Sequence, residues 1–291
     1  NVGAGPVIRV AATPLNVTIA GVTLSGNFTF EQFTSLTGVK TVIISAANVS
    51  INNFSGEGSG SSPITITDAR GLFVITSAGT AGTLSFTTAG GFGVFSAGAT
   101  VKLEINNTNQ AINATGAFGT VTLDAGIYKR IVISDLSISF GSYAIIEGDF
   151  SISSSSAPGG GQVVVGNNIH IFVGDGYNQS QPNGGTAKIG LEMTDGSAVL
   201  IKNGSTKAGF ITGLVKLVGV TGLSFEATMT FRVNETTGAV DQTFNVDGAP
   251  VTISFAANEN SVSGVPFLQF VATGVALNVA DVVELRGNFA F

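Results

Sequence analysis

The side chains through which this chain could do chemistry are few. The one histidine, His170, lies in Asn168-Ile169-His170-Ile171-Phe172. A Ser-His-Asp relay would have to pass through it, and nothing near it resembles a nucleophile elbow. On a strand its immediate neighbours point to the opposite face, so it reads as a structural or solvent-facing residue. Glycoside hydrolysis needs only two acids, roughly 5 to 9.5 Å apart, and Glu147 and Asp149 stand on one face of a strand-like run. Ser25/Asn27 and Arg286/Asn288 take their places in two similar phrases, so the acids read as solvent-facing guards against edge-to-edge pairing. Calcium takes about six to eight oxygens, whereas Glu57 in Gly56-Glu57-Gly58 and Asp175 in Gly174-Asp175-Gly176 offer one acid per loop. Turn chemistry is the simpler reading there, with weak calcium binding left open. Gly56, Gly58 and Gly60 imitate part of a phosphate-binding fingerprint, but Ser61-Ser62-Pro63 leads into a strand rather than a helix. No catalytic, cofactor-binding or metal-ligating residue is assigned, and the chain reads as a non-enzyme.

Composition narrows the classes further. The 291 residues are 44% apolar and 10% charged, with 12 Lys+Arg, 18 Asp+Glu, a net charge of -6 and no cysteine. Disorder requires low hydrophobicity and high net charge, which is the opposite balance. So few cations cannot track a phosphate backbone, which excludes nucleic acid as a partner. Without cysteine there are no disulfides, thiolate ligands or thiol nucleophiles. The most apolar stretch, 210–225, is interrupted by Thr212, Gly213, Lys216, Gly219 and Gly222, so no transmembrane segment is expected. The chain opens on Asn1 without a leader, as a processed chain or a window from a longer one would. Nine Asn-x-Ser/Thr sequons, Asn106 and Asn234 among them, are compatible with a glycosylated surface.

Positioning elements are legible mainly through repetition. Leu15, Val17, Ile19, then Val22, Leu24, Gly26, Phe28, Phe30 alternate on both sides of Ala20-Gly21. The same hairpin pattern returns as Leu136, Ile138, Phe140, then Ala144, Ile146, Gly148, Phe150, Ile152, and again as Val275, Leu277, Val279, then Val283, Leu285, Gly287, Phe289, Phe291. Other phrases recur at similar offsets, Ala81-Gly82 at Ala208-Gly209 and Leu103-Glu104-Ile105-Asn106 with Thr108 at Phe231-Arg232-Val233-Asn234 with Thr236. The offsets grow along the chain, placing small insertions near 159–185 and 258–264. The expected organisation is residues 1–30 as the closing hairpin of a preceding repeat, 31–152 as a first β repeat and 153–291 as a second. Gly26, Gly148 and Gly287 mark bulges or bends. Asp195-Gly196, Asp247-Gly248, Asn183-Gly184 and Asn203-Gly204 read as hairpin turns, and Leu103, Ile105, Phe231 and Val233 as core. The fold class is all-β, with tandem β-sandwich or elongated β-barrel repeats able to form a continuous rod.

The phrases VAATPLNVTIAGVTLSGNFTFEQ, TAGTLSF and KLEINNT followed by VTLDAGIYKRI resemble units of very long, tandemly repeated secreted bacterial proteins. That resemblance implies an extracellular or cell-surface, adhesin-like structural module with no catalytic position to carry over. Its partners would be further copies of itself or adjacent repeats, met through hairpins 7–30 and 267–291. The alternative is a carbohydrate-binding module with surface glycans as partners, for which the absence of Trp and the presence of only Tyr128, Tyr143 and Tyr177 leave few stacking platforms. An outer-membrane barrel is disfavoured, because the Phe289/Phe291 ending recurs internally and no aromatic girdle is present.

Overall fold

Short β-branched and aromatic runs closed by glycine and asparagine turns give an all-β chain. The computed structural model describes residues 8–19, 22–34, 40–54, 64–87, 99–140, 143–154, 162–181, 184–203, 206–246 and 249–291. In chain order the strands are β1 (Ile8–Ile19), β2 (Val22–Thr34), β3 (Lys40–Phe54), β4 (Ile64–Thr76), β5 (Gly79–Thr87), β6 (Thr100–Asn106), β7 (Ile112–Gly116), β8 (Gly119–Leu123), β9 (Tyr128–Phe140), β10 (Ala144–Ser154), β11 (Gln162–Asp175), β12 (Ile189–Asn203), β13 (Thr206–Val218), β14 (Leu223–Asn234), β15 (Val240–Val246), β16 (Ala249–Phe255), β17 (Phe267–Val279) and β18 (Val283–Ala290). Among the described residues no helix is long and apolar enough to cross a membrane. The loops holding Glu57, Gly159 and Asp247-Gly248 lie outside the described residues.

Fourteen strands form one antiparallel sheet in the order β1-β2-β3-β4-β5-β6-β9-β10-β11-β12-β13-β14-β17-β18. The expected barrel does not close. Strands pair in chain order except where β6 pairs with β9 and β14 with β17, and among the described residues β1 and β18 are the outer strands of the sheet. Nor is there a second full sheet among the described residues. Only β7–β8 and β15–β16 leave the main sheet, each as a two-stranded hairpin.

By contacts the chain divides into two units, Asn1–Gly93 with Ala97–Ile133, and Val94–Ser96 with Ser134–Phe291. The positions 30/31 and 152/153, where sequence likeness changes, lie inside β2 and β10. In the first unit the β7–β8 hairpin presses Val121 and Leu123 onto Ile43, Leu72, Val74 and Ala81, while Phe28, Ala46, Val49, Ala69 and Leu84 form a separate cluster. In the second unit the β15–β16 hairpin presses Val240, Ile253 and Phe255 onto Val163, Val165, Val199 and Ala208. Burying each large apolar side chain contributes about 1.5 to 3 kcal/mol.

A fully buried asparagine anchors the root of each hairpin. Asn106 Nδ2 donates to Gln110 O and Asp124 O, both at 2.8 Å, while its Oδ1 accepts from Thr108 N and Oγ1 at 3.0 and 2.7 Å. Asn234 Nδ2 donates to Gly238 O and Glu259 O at 3.3 and 2.7 Å, and its Oδ1 accepts from Thr236 N and Oγ1 at 2.9 and 2.7 Å. These bonds satisfy carbonyls that the hairpin would otherwise bury unpaired. They also bury two of the sequons.

Two expectations about faces and turns are corrected. On β6 and β14 the buried residues are Glu104, Asn106, Ala227 and Asn234, while Leu103, Ile105 and Val233 are half-buried and Phe231 is 44% exposed. Alternation identifies which residues share a face, but it does not reveal which face a hairpin will cover. Asp195-Gly196 supplies a left-handed residue, φ 52°, inside β12 rather than at a turn. Asn48, Asp135 and Asn168 do the same within β3, β9 and β11, with φ of 51°, 57° and 50°. These are bulges, and the pairing register shifts beside Asn48, Asn168 and Asp195. Gly26 and Gly148 do sit at register shifts, between Ser25 and Asn27 and between Glu147 and Asp149.

Candidate functional site

The densest assembly of titratable side chains gathers around His170 in the second unit. Antiparallel pairing sets Glu147 of β10 opposite His170 of β11, and Phe172 opposite Glu192 of β12. The β11–β12 connection then folds back, and it carries Tyr177 and Lys188 to the same place. Its backbone is tied by Asn178 N to Gly184 O at 2.9 Å, and Gly184 is required because a Cβ there would lie 2.1 Å from the Tyr177 ring.

His170 Nδ1 lies 3.1 Å from Glu147 Oε2, and its Nε2 lies 2.7 Å from Glu192 Oε1. Glu147 Oε2 also accepts from Tyr177 OH at 2.6 Å, and its Oε1 accepts from Ser137 Oγ at 3.2 Å. Lys188 Nζ donates to Glu192 Oε1 at 2.5 Å and lies above the rings of Phe172 and Tyr177. The Tyr177 ring in turn stacks on Phe172, with centroids 5.2 Å apart. Two anions and two cations are thus enclosed together, which removes the cost of burying any one alone.

The titration shifts follow from those contacts. The Glu147 hydrogen bond raises the His170 pKa against the opposing effect of burial, and Glu192 adds to the rise. His170 correspondingly lowers Glu147, with Tyr177 and Ser137 assisting. Burial works against the Glu192 anion, yet the Lys188 and His170 hydrogen bonds bring its pKa below the ordinary value. Burial and the Glu147 anion push the Tyr177 phenol far up. With a carboxylate oxygen within hydrogen-bond reach of each ring nitrogen, the site suits an imidazolium that donates from both. An imidazolium so placed has no lone pair with which to take a proton from a hydroxyl or to bind a metal, and Ser137 faces Glu147 rather than the ring. Among the described residues no group of three or more His, Cys, Asp or Glu side chains is arranged to hold a metal ion.

The remaining sequence candidates are dispersed. Glu147 and Asp149 do not guard an edge, because β10 lies between β9 and β11. Gly148 sits in a bulge between them, and Asp149 ties the bulge together by accepting from Asp135 N at 3.0 Å and Asn168 Nδ2 at 2.8 Å. Asp175 accepts from Gly176 N at 2.8 Å, a turn contact. Tyr143 is exposed, while Tyr128 lies under the Arg130 guanidinium, 5.0 Å from ring centroid to carbon.

Charged groups also lie beside each hairpin. In the first unit Glu104, buried, receives Arg130 Nε at 2.6 Å and Lys102 Nζ at 2.9 Å. In the second, Arg232 donates to both Glu259 oxygens at 2.7 and 2.9 Å, to Gln269 Oε1 at 2.6 Å and to Ser254 O at 2.7 Å, with its guanidinium 4.6 Å from the Phe255 centroid.

No protein-family model matches this chain, and no curated protein or solved structure matches it.

Proposed function

We propose that this chain is a structural, adhesive module of the cell exterior, built from two related β repeats and assembling head to tail through its first and last hairpins into a rod or fibre. The observation that carries the reading is the pair of open edges. On β1, Ile8 and Val10 are more than half exposed, and Val283, Leu285 and Phe289 of β18 with Phe291 just after it present an apolar row. An uncovered edge with an apolar face is a template for strand addition. The relation between the repeats is supported by the matching Asn106 and Asn234 networks and by the hairpin each one anchors. In the His170 cluster the charges are spent on one another, an arrangement that favours rigidity over turnover. Extracellular placement rests on the resemblance to secreted repeat proteins.

Sedimentation velocity with negative-stain microscopy of the purified chain tests this. Species that lengthen with concentration, and that disappear in Leu285→Lys with Phe289→Lys, are expected. A monomer at every concentration overturns it.

A further inference from the structure

The sheet of the second unit has two faces, and its own hairpin closes one of them. Cross-strand pairing sets Phe150, Gly166, Ala198, Ile211, Phe231 and Phe270 in one transverse row from β10 to β17, and Ile152, Val164, Leu200, Gly209, Val233 and Leu268 in the next. Neither row holds a polar side chain. Farther along the strands Met229 with Ala272, and Phe225 with Leu277 and Leu285, continue the same face. One residue away, Val199, Phe210, Arg232 and Gln269 belong to the opposite face, where the β15–β16 hairpin packs on Val199 and Phe210 and receives Arg232 at Ser254 O. The first face stays open. Phe231 is 44% and Leu268 55% exposed, and an apolar trough of about 230 Å³ lies between Phe150 and Phe231, with Gly166 and Gly209 along it. In the first unit the positions matching Phe150 and Ile211 are Phe28 and Leu84, only 3% and 6% exposed.

The open face is large enough to hold a partner. From β10 to β18 it crosses seven strands, spaced about 4.8 Å apart, and along β14 it runs from Phe225 to Val233 at about 3.4 Å per residue, which gives on the order of 900 Å². The largest apolar patch of a typical monomer is about 300 to 600 Å², whereas each partner in a stable interface buries about 800 Å².

Charge narrows the occupant. Lys216 with Glu226 and Arg286 with Glu284 are paired on the opposite face, so two copies that meet through the open one bring no like charges together, although the chain carries a net charge of -6. That negative charge opposes docking on an anionic lipid surface, which sheets and helices rich in Lys and Arg favour. A second copy has the same need, and a two-fold contact buries both faces at once. Apolar sheet faces stacked about 10 Å apart, with their side chains interdigitated, are the usual way a single layer is closed. We infer that the open face of the second unit is a self-association surface on which a second copy of this chain stacks sheet against sheet, with Phe231 and the trough beside it at the centre. This contact uses the face of the sheet and is separate from end-to-end growth through its edges.

Sedimentation velocity of the full chain, from submicromolar to tens of micromolar, tests it. Pairs are expected at the upper concentrations. Phe231→Lys and, separately, Leu268→Lys should each weaken pairing by about tenfold or more, because each would bury an unpaired charge. At the lowest concentration, where copies are apart, circular dichroism and melting of both variants should match the parent, since the two side chains are exposed in the single copy. Thr243→Lys, on the hairpin over the opposite face, should leave pairing unaltered. A chain that stays single at every concentration, pairing unaffected by both face variants, or single chains that float with phosphatidylcholine vesicles would each overturn the inference. Pairs that never lengthen would uphold it while removing the head-to-tail reading.

Discussion

The two hairpin-capped regions meet the same electrostatic need with the arginine on different strands. In the first unit the buried acid Glu104 is on β6, and the arginine reaches it from β9. In the second, Arg232 occupies the matching place on β14, while its acid, Glu259, lies in the connection after the hairpin and β17 offers neutral Gln269. Each guanidinium lies against an aromatic ring, Tyr128 in one unit and Phe255 in the other. What is preserved is a planar cation between ring and carboxylate, not the position that supplies it. A second difference lies beside the bulge glycines Gly26 and Gly148, where Ser50 Oγ donates to Ser25 O at 3.3 Å in the first unit and the second has the His170–Glu147 pair. The hairpin anchors are therefore common to both units, whereas the charge cluster belongs to one.

Truncating the hairpin anchor should have the largest effect. Ile253, fully buried, should cost about 3 to 4 kcal/mol as Ile253→Ala, and Val121→Ala somewhat less, read from urea unfolding. Losses in both units scaled to the volume removed would support a common architecture, and a negligible loss in either would break it. Next are the arginines. Arg130→Ala leaves buried Glu104 with Lys102 alone and should cost about 2 to 3 kcal/mol. Arg232→Ala, which is partly exposed and loses its ring contact, should cost about 2 kcal/mol. Transplanting the second arrangement into the first, Glu104→Arg with Arg130→Gln, should recover most of the Arg130→Ala loss if Asp124 can take the role of Glu259.

The recurring hairpins at 15–30, 136–152 and 275–291 were legible because each lies within about twenty residues and alternates cleanly. The bulge glycines and the Asn-x-Thr phrase were legible for the same local reason. The charge cluster was not, since Glu147, His170, Tyr177, Lys188 and Glu192 meet only once β10, β11 and β12 are in register and the loop has folded over them. The available signal was a titratable residue on each of three successive strands, Glu147, His170 and Glu192. The sense of burial on β6 and β14 was hidden too, because the hairpin chooses the polar face through its asparagine.

The cluster gives the two units different pH responses. His170 has a raised folded pKa, so the stability it adds is complete below its unfolded value and is lost as pH rises through the folded one. Glu147 and Glu192 are lowered, so their contribution is present above the unfolded carboxylate value and is lost as pH falls through the folded ones. Thermal melting across pH 5 to 9 should show the second unit weakening toward the alkaline side. His170→Gln should flatten that slope and leave the first unit unchanged. An unaltered slope would mean that the ring is not charged. The smallest effect is expected from Phe231→Ala, at about 1 kcal/mol or less, since the side chain is already 44% exposed. A loss as large as that of Ile253→Ala would show that its face is covered in solution.

The left-handed residues inside the long strands divide each one into two reading frames. Along β12 the buried positions are Glu192, Thr194 in part and Gly196, then Val199, so evens give way to odds beyond the Asp195-Gly196 bulge. Along β11 they are Val163 and Val165 before the bulge, Gly166 and Ile169 on either side of it, and Phe172 beyond it. The bulge residue thus acts as a single-letter frameshift, moving the side chains beyond it to the other face without altering the hydrogen-bond ladder at either end. Excising Asn168 alone would shorten no loop, yet it would carry His170 and Phe172 away from Glu147 and Glu192. A mutation of that kind exchanges inside for outside over half a strand, and any scheme for designing such sheets has to count residues separately on the two sides of each bulge.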